Sequence, residues 1–92
     1  MKYMIAWKIP SSSYKSAIEK FLSGGAPVPP GIKTVGRWHV PGSASGWHLV
    51  EGDSAEALAQ HVAEWAGLIE LEVSPVIEDE EAASSLSKLF GK

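Results

Sequence analysis

The chain has 92 residues, a formal net charge of −3 and no cysteine. That length holds one domain, residues 1–92, and a domain so small buries only ~60–65% of the surface its unfolded chain exposes. The acidic balance argues against nucleic acid, which calls for a basic stripe, and the absence of cysteine excludes thiolate catalysis and cysteine metal sites and fits a reducing cytoplasm.

No apolar run approaches the ~20 residues of a membrane span, so no membrane partner is expected. Met1-Lys2 followed by apolar residues imitates a signal peptide, but Trp7-Lys8-Ile9-Pro10 interrupts the run. The expectation is a soluble cytoplasmic protein.

Lys2 to Ile9 reads as the first strand. Tyr3, Ile5, Trp7 and Ile9 point one way and Met4, Ala6 and Lys8 the other; both sides are mostly apolar, which suits a central strand. Pro10 ends it. Ser11-Ser12-Ser13 offers N-caps for a helix to about Leu22, whose Tyr14, Ala17, Ile18, Phe21 and Leu22 form an amphipathic stripe. Gly24-Gly25 supplies a left-handed stop. Ala26 to Gly31 is proline-rich and therefore extended, a stiff connection in preference to a ligand for a proline-recognition domain.

Ile32 to Val40 and Ser45 to Glu51 alternate apolar and polar residues around Pro41-Gly42-Ser43-Ala44, a β-hairpin. It carries Trp38, Trp47, His39, His48 and the only arginine, Arg37. Asp53 and Glu56 have capping-box spacing, with Asp53 as N-cap, before a helix that presents Ala55, Leu58, Val62, Trp65 and Ala66 on one face. His61 falls at the boundary of that stripe. Ile69 to Ile77 is a fourth strand, with Ile69, Leu71 and Val73 on one side and Glu70 and Glu72 on the other. The tail opens on Glu78-Asp79-Glu80-Glu81, matching a helix dipole, and carries Ala82, Ala83, Leu86, Leu89 and Phe90 on one stripe. That stripe must lie on its own domain or on a neighbour.

Strand, helix, strand, strand, helix, strand is the ferredoxin-like α+β arrangement, here with an extra C-terminal helix. Both main helices are expected on one face of a four-stranded antiparallel sheet of order 4-1-3-2. The other face keeps apolar residues without helical cover, near the limit of exposed patches on a monomer. A homodimer through this helix-free sheet face is the expected partner.

The chain resembles a family of uncharacterised bacterial proteins, a "domain of unknown function" in the dimeric α/β-barrel superfamily. The resemblance rests on Lys2-Tyr3-Met4, Trp7, Gly25-Ala26-Pro27 with Pro29-Pro30-Gly31, Glu51, Trp65 and Val73-Ser74-Pro75-Val76. Its most specific piece is Gly36-Arg37-Trp38-His39. It implies a dimeric α/β barrel whose paired sheets enclose a cavity, and it implies no particular reaction or cofactor. Relatives in the superfamily include small monooxygenases, haem-modifying enzymes, isomerases and proteins without assigned activity.

Closing the hairpin over Pro41 to Ala44 sets Val40 against Ser45, Arg37 against His48 and His39 against Gly46. Arg37, His39 and His48 then share a face with Val35 and Val50. Trp38, Trp47 and Leu49 take the other, assigned to the helix-side core; a one-residue slip would swap the faces of the second strand. The helix-free face thus collects Lys8, Arg37, His39, His48, Glu70 and Glu72. Read structurally, these are ion pairs at an interface or sheet edge. Read functionally, they are a ligand site in which Arg37 binds an anionic or carbonyl group and His39 or His48 moves a proton. His39, His48 and a glutamate make only a partial metal set without a recognised spacing, so no metal is expected. The tryptophans serve as core before they serve as an aromatic pocket.

Two functions follow. One is a small dimeric-barrel protein that binds an apolar or aromatic small molecule, with Arg37, His39 and His48 as the candidates for monooxygenase- or isomerase-like chemistry. The other is a non-catalytic binding or accessory module, or a structural dimer with no active site. No phosphate loop, nucleophile elbow or dinucleotide fingerprint is present.

Overall fold

A computed structural model describes residues 1–91. Its elements are β1 (Lys2–Lys8), a single 3-10 turn (Ser11–Ser13), α1 (Tyr14–Gly24), β2 (Ile32–His39), β3 (Ser45–Gly52), α2 (Ala55–Trp65), β4 (Glu70–Val76) and α3 (Asp79–Phe90). The strands form one antiparallel sheet, in the order β2-β3-β1-β4 from one edge and β4-β1-β3-β2 from the other. β1 lies inside it. Among the described residues no helix is long and apolar enough to cross a membrane.

Local chemistry sets the element ends. Gly25 takes φ 67 beyond α1, and its N–H donates to the Phe21 carbonyl at 2.7 Å. In the hairpin, Pro41 and Gly42 occupy the centre of a tight turn: Gly42 has φ 100 and Ser43 N–H donates to the Val40 carbonyl at 2.7 Å. Ser54, not Asp53, caps α2, its hydroxyl accepting from the Ala57 N–H at 3.0 Å. Asp53 instead faces the N-terminal ammonium at 3.5 Å. The expected Asp53–Glu56 box is thus displaced by one residue, because the serine side chain is the one aimed at an orphan helix donor.

Both α1 and α2 cover one face of the sheet and touch each other, with Lys20 Nζ donating to the Glu64 carbonyl and lying 4.4 Å from the centre of the Trp65 ring. Between them and the sheet is a core of Ile5, Ile32, Val50, Ala57 and Leu58, flanked by Tyr3, Val28, Val62, Leu71 and Val73. The Tyr3, Ile5, Trp7 side of β1 is therefore the helix side. Antiparallel pairing sets Ile5 opposite His48 and Tyr3 opposite Val50, so His48 turns inward with them.

This corrects the sequence-derived faces of the hairpin. The register itself is as expected, with Arg37 opposite His48 and His39 opposite Gly46. However, Arg37, His39 and His48 lie on the helix side, while Trp38 and Trp47 stand opposite each other on the helix-free face, 53% and 47% exposed. Tryptophan size suggested the core, but the parity of β1 decides. Of the six candidate residues, only Lys8, Glu70 and Glu72 remain on the helix-free face, sharing its parity with Met4 and Ala6.

A second correction concerns Val35. The pairing of β2 with β3 shifts between Thr34 and Gly36, so Val35 is the extra residue of a β-bulge and is 49% exposed. The bulge inverts the parity of β2. Ile32 and Thr34 face the helices before it, and Arg37 and His39 face them after it.

α3 continues outward from an ion pair between Lys2 and Glu78, and the chain extends 53 Å along its longest axis. Leu86, Leu89 and Phe90 are exposed, so their stripe is not laid on this domain.

Gly46 faces the Trp7 ring from β3, and a Cβ there would collide with that ring and with the Trp38 carbonyl oxygen. Gly46→Ala is expected to lower stability by about 2 kcal/mol, the range for overpacking a close-packed site. A urea midpoint equal to wild type would contradict the close approach.

Candidate functional site

The bulge at Val35 is the local feature from which the site is built. By inverting β2 it brings Arg37 and His39 beneath α1 and α2, beside His48 of β3. There the two helices and the sheet leave a cavity of about 70 Å³. Aromatic and aliphatic side chains make most of its wall, among them Ile5, Trp7, Ile18, Phe21, Trp65 and Leu71, and the polar groups are Arg37, His39, Ser43, His48 and His61. One water needs only ~10–15 Å³ by a comparable measure, so the space exceeds a packing defect.

His48 is 2% exposed. Its Nε2 lies 2.8 Å from Thr34 Oγ1, and Arg37 Nη2 lies 3.2 Å from Nε2 and 3.4 Å from Nδ1. A guanidinium only donates, so these contacts require a ring nitrogen with a free lone pair. Burial first, then the Arg37 charge, then His61 push the His48 pKa down to about 3. The ring is neutral at any ordinary pH, which leaves it a weak base.

Arg37 is partly buried and donates to the Ala26 carbonyl at 2.7 Å. Among the described residues no carboxylate lies within ion-pairing distance of it; the ion pairs are Met1–Asp53, Lys2–Glu78 and Lys33–Glu51. Burial lowers its pKa, but an arginine stays protonated. A positive charge thus sits at the cavity wall without a negative partner.

His39 stands nearer solvent. Its ring packs against Trp7 and Phe21 with centroids 5.2 and 5.6 Å away, and its Nδ1 meets Ser43 Oγ at 3.1 Å. Ser43 holds a left-handed backbone, φ 61, unusual for a residue with a side chain. The turn is further tied down by Tyr14, whose hydroxyl donates to the Gly42 carbonyl at 2.6 Å.

Lys8, Glu70 and Glu72 belong elsewhere. Lys8 is opposite Glu70 in the β1–β4 register, on the face away from the cavity. Were the glutamate of the partial metal set Glu70 or Glu72, it would stand across the sheet from His39 and His48.

One cavity residue departs from its sequence-derived place. His61, expected at the boundary of the α2 stripe, is 4% exposed and meets His48 edge-on, ring centroids 5.3 Å apart. Its pKa is lowered, mainly by burial and then by Arg37. Trp65, expected on the apolar face of α2, is 6% exposed. α2 buries Ala57, Leu58, His61 and Trp65 and leaves Ala55 and Ala66 out, a stripe rotated from the expected one. The i, i+4, i+8 series Ala57, His61, Trp65 was the available signal. His61 Nδ1 and Trp65 Nε1 are both buried without a hydrogen-bond partner, and each such group costs ~1–3 kcal/mol.

A family model described as "Domain of unknown function (DUF3303)" matches residues 1–90. No curated protein matches the chain.

The depressed His48 pKa has a signed consequence for stability. The unfolded ring takes up a proton near its ordinary pKa of 6.5, whereas the folded ring does so only near 3. Its contribution is complete above pH 6.5 and is lost as pH falls toward 3, at up to ~1.4 kcal/mol per pH unit. Urea midpoints between pH 7 and 4 should fall less steeply in His48→Gln than in wild type. Parallel profiles would contradict a neutral, buried His48.

Proposed function

The chain belongs to the DUF3303 family, and we propose that it is a small-molecule-binding protein whose ligand occupies the cavity between the sheet and α1 and α2. The observation that carries this is the cavity itself. Interiors are close-packed, and a domain of this size has little stability to give up. Aromatic walls with a few convergent polar groups are the usual make-up of a ligand pocket.

Of the histidines considered for proton transfer, His48 is disfavoured by its burial and weak basicity. His39, at the rim and hydrogen-bonded to Ser43, is the group placed for it in a monooxygenase- or isomerase-like turnover. Binding without turnover needs none of this, and the geometry favours it.

In this reading the ferredoxin-like domain works as a cytoplasmic homodimer through its helix-free face. Trp38 and Trp47 form an exposed cross-strand pair there, an apolar patch that a second copy would cover in an isologous interface. The pocket is then within each subunit, not in a space enclosed by the two sheets.

Titration with benzyl alcohol, followed through the indole N–H resonances, should move the Trp65 signal and leave Trp38 unmoved. Ala26→Leu, which fills the cavity, should raise the melting temperature and abolish the shift. An unmoved Trp65 signal in wild type would overturn the pocket. Sedimentation should give twice the 9.8 kDa chain mass at micromolar concentration. Trp38→Ser with Trp47→Ser should shift it to one chain; a wild-type monomer would overturn the assembly.

A further inference from the structure

We infer that the cavity takes a small organic carboxylate, its apolar body among the aromatic rings and its head group held by Arg37 and Trp65. This rests on the cavity being a ligand site, and it fixes what kind of ligand the site selects. Three observations converge.

Arg37 brings a full positive charge to a wall that is otherwise mostly apolar, with no carboxylate of the described chain to meet it. All of its described hydrogen bonds use Nη2. A guanidinium has five N–H donors in a fork that matches a carboxylate. Arg37 is half-buried and only Nη2 is engaged, so an anion brought to its remaining donors would be held by charge-assisted hydrogen bonds.

Trp65 lines the same cavity and is more than nine-tenths buried, and its Nε1 has no hydrogen-bond partner. The indole nitrogen can only donate. Unpartnered buried polar groups are rare in folded proteins. One beside a cation without a carboxylate partner asks for a ligand with acceptors.

The rest of the wall sets the other half of the ligand. Trp7, Phe21, Ile18 and Leu71 offer no hydrogen bonds to a second charged end, so a fully hydrated anion such as phosphate would be stripped of water on its remaining oxygens. A monocarboxylate with a hydrocarbon or aromatic body leaves nothing unsatisfied at that end. The electrostatics agree: after burial, which is the larger cause, the Arg37 charge disfavours protonation of both His48 and His61, as expected in a site biased toward negative charge.

The test compares sodium benzoate with benzamide and benzyl alcohol, titrated at pH 7 into the full chain and followed by amide and indole N–H shifts. Benzoate is expected to bind at least tenfold more tightly than benzamide. Arg37→Met should weaken benzoate at least tenfold and leave benzyl alcohol within about twofold, since losing a buried charged hydrogen bond is worth more than one decade of affinity. Trp65→Phe removes the donor together with part of the ring, and should weaken benzoate several-fold more than it weakens benzyl alcohol. It keeps the proposal open to refutation if the Arg37 variant does not fold. Equal affinities for benzoate and benzamide, or benzoate binding unaffected in a folded variant, would overturn the carboxylate while leaving the cavity as a binding site. If none of the three compounds perturbs Trp65, the cavity reading fails, and this inference with it.

Discussion

The direction in which β1 turns its side chains governs the rest of the molecule. Tyr3, Ile5 and Trp7 alternate with Met4, Ala6 and Lys8, and only the first set can sit beneath two helices without burying an ammonium. Full burial of a side chain such as Ile5 contributes ~1.5–3 kcal/mol, whereas an unpaired buried charge costs several times that. Once Ile5 faces the helices, antiparallel pairing carries His48 and Val50 inward with it. The bulge at Val35 then brings Arg37 to the same side.

This chain of constraints explains why polar groups lie in the core of so small a protein. His48 is inside because its neighbour across the sheet is Ile5, and it stays neutral because it is buried, with the Arg37 charge adding to that. Its Nε2 is met by Thr34. Arg37 and the buried Trp65 nitrogen are not matched in the same way, and both residues line an incompletely filled pocket beneath the helices. Unmet charge, an unmet donor and unfilled space coincide there.

Much of the backbone was legible from residue patterns. Pro41-Gly42-Ser43 fixed the turn and, through it, the pairing of Arg37 with His48, because turn geometry sets hairpin register. The faces were not legible in the same way. Two tryptophans in a hairpin suggest a core, and nothing in their identity says that a more apolar parity on a distant strand will claim the helices. The bulge left no sequence signal either: Val35-Gly36 reads as ordinary alternation, and a single extra residue reverses everything after it. His61 was misjudged because one position of phase on a helix is 100°, enough to move a residue from the stripe's edge to its centre. The α2 cap was off by one for a simpler reason, since Asp53 and Ser54 are both good N-caps and only geometry chooses between them.

The claim on which the account stands is that His48 lies under the helices, against His61. Nuclear Overhauser contacts between assigned histidine ring protons test it most directly. The rings, edge-on with centroids 5.3 Å apart, should give cross-peaks between His48 and His61. Cross-peaks from His48 to the Trp38 or Trp47 ring, with none to His61, would place it on the open face and contradict the account.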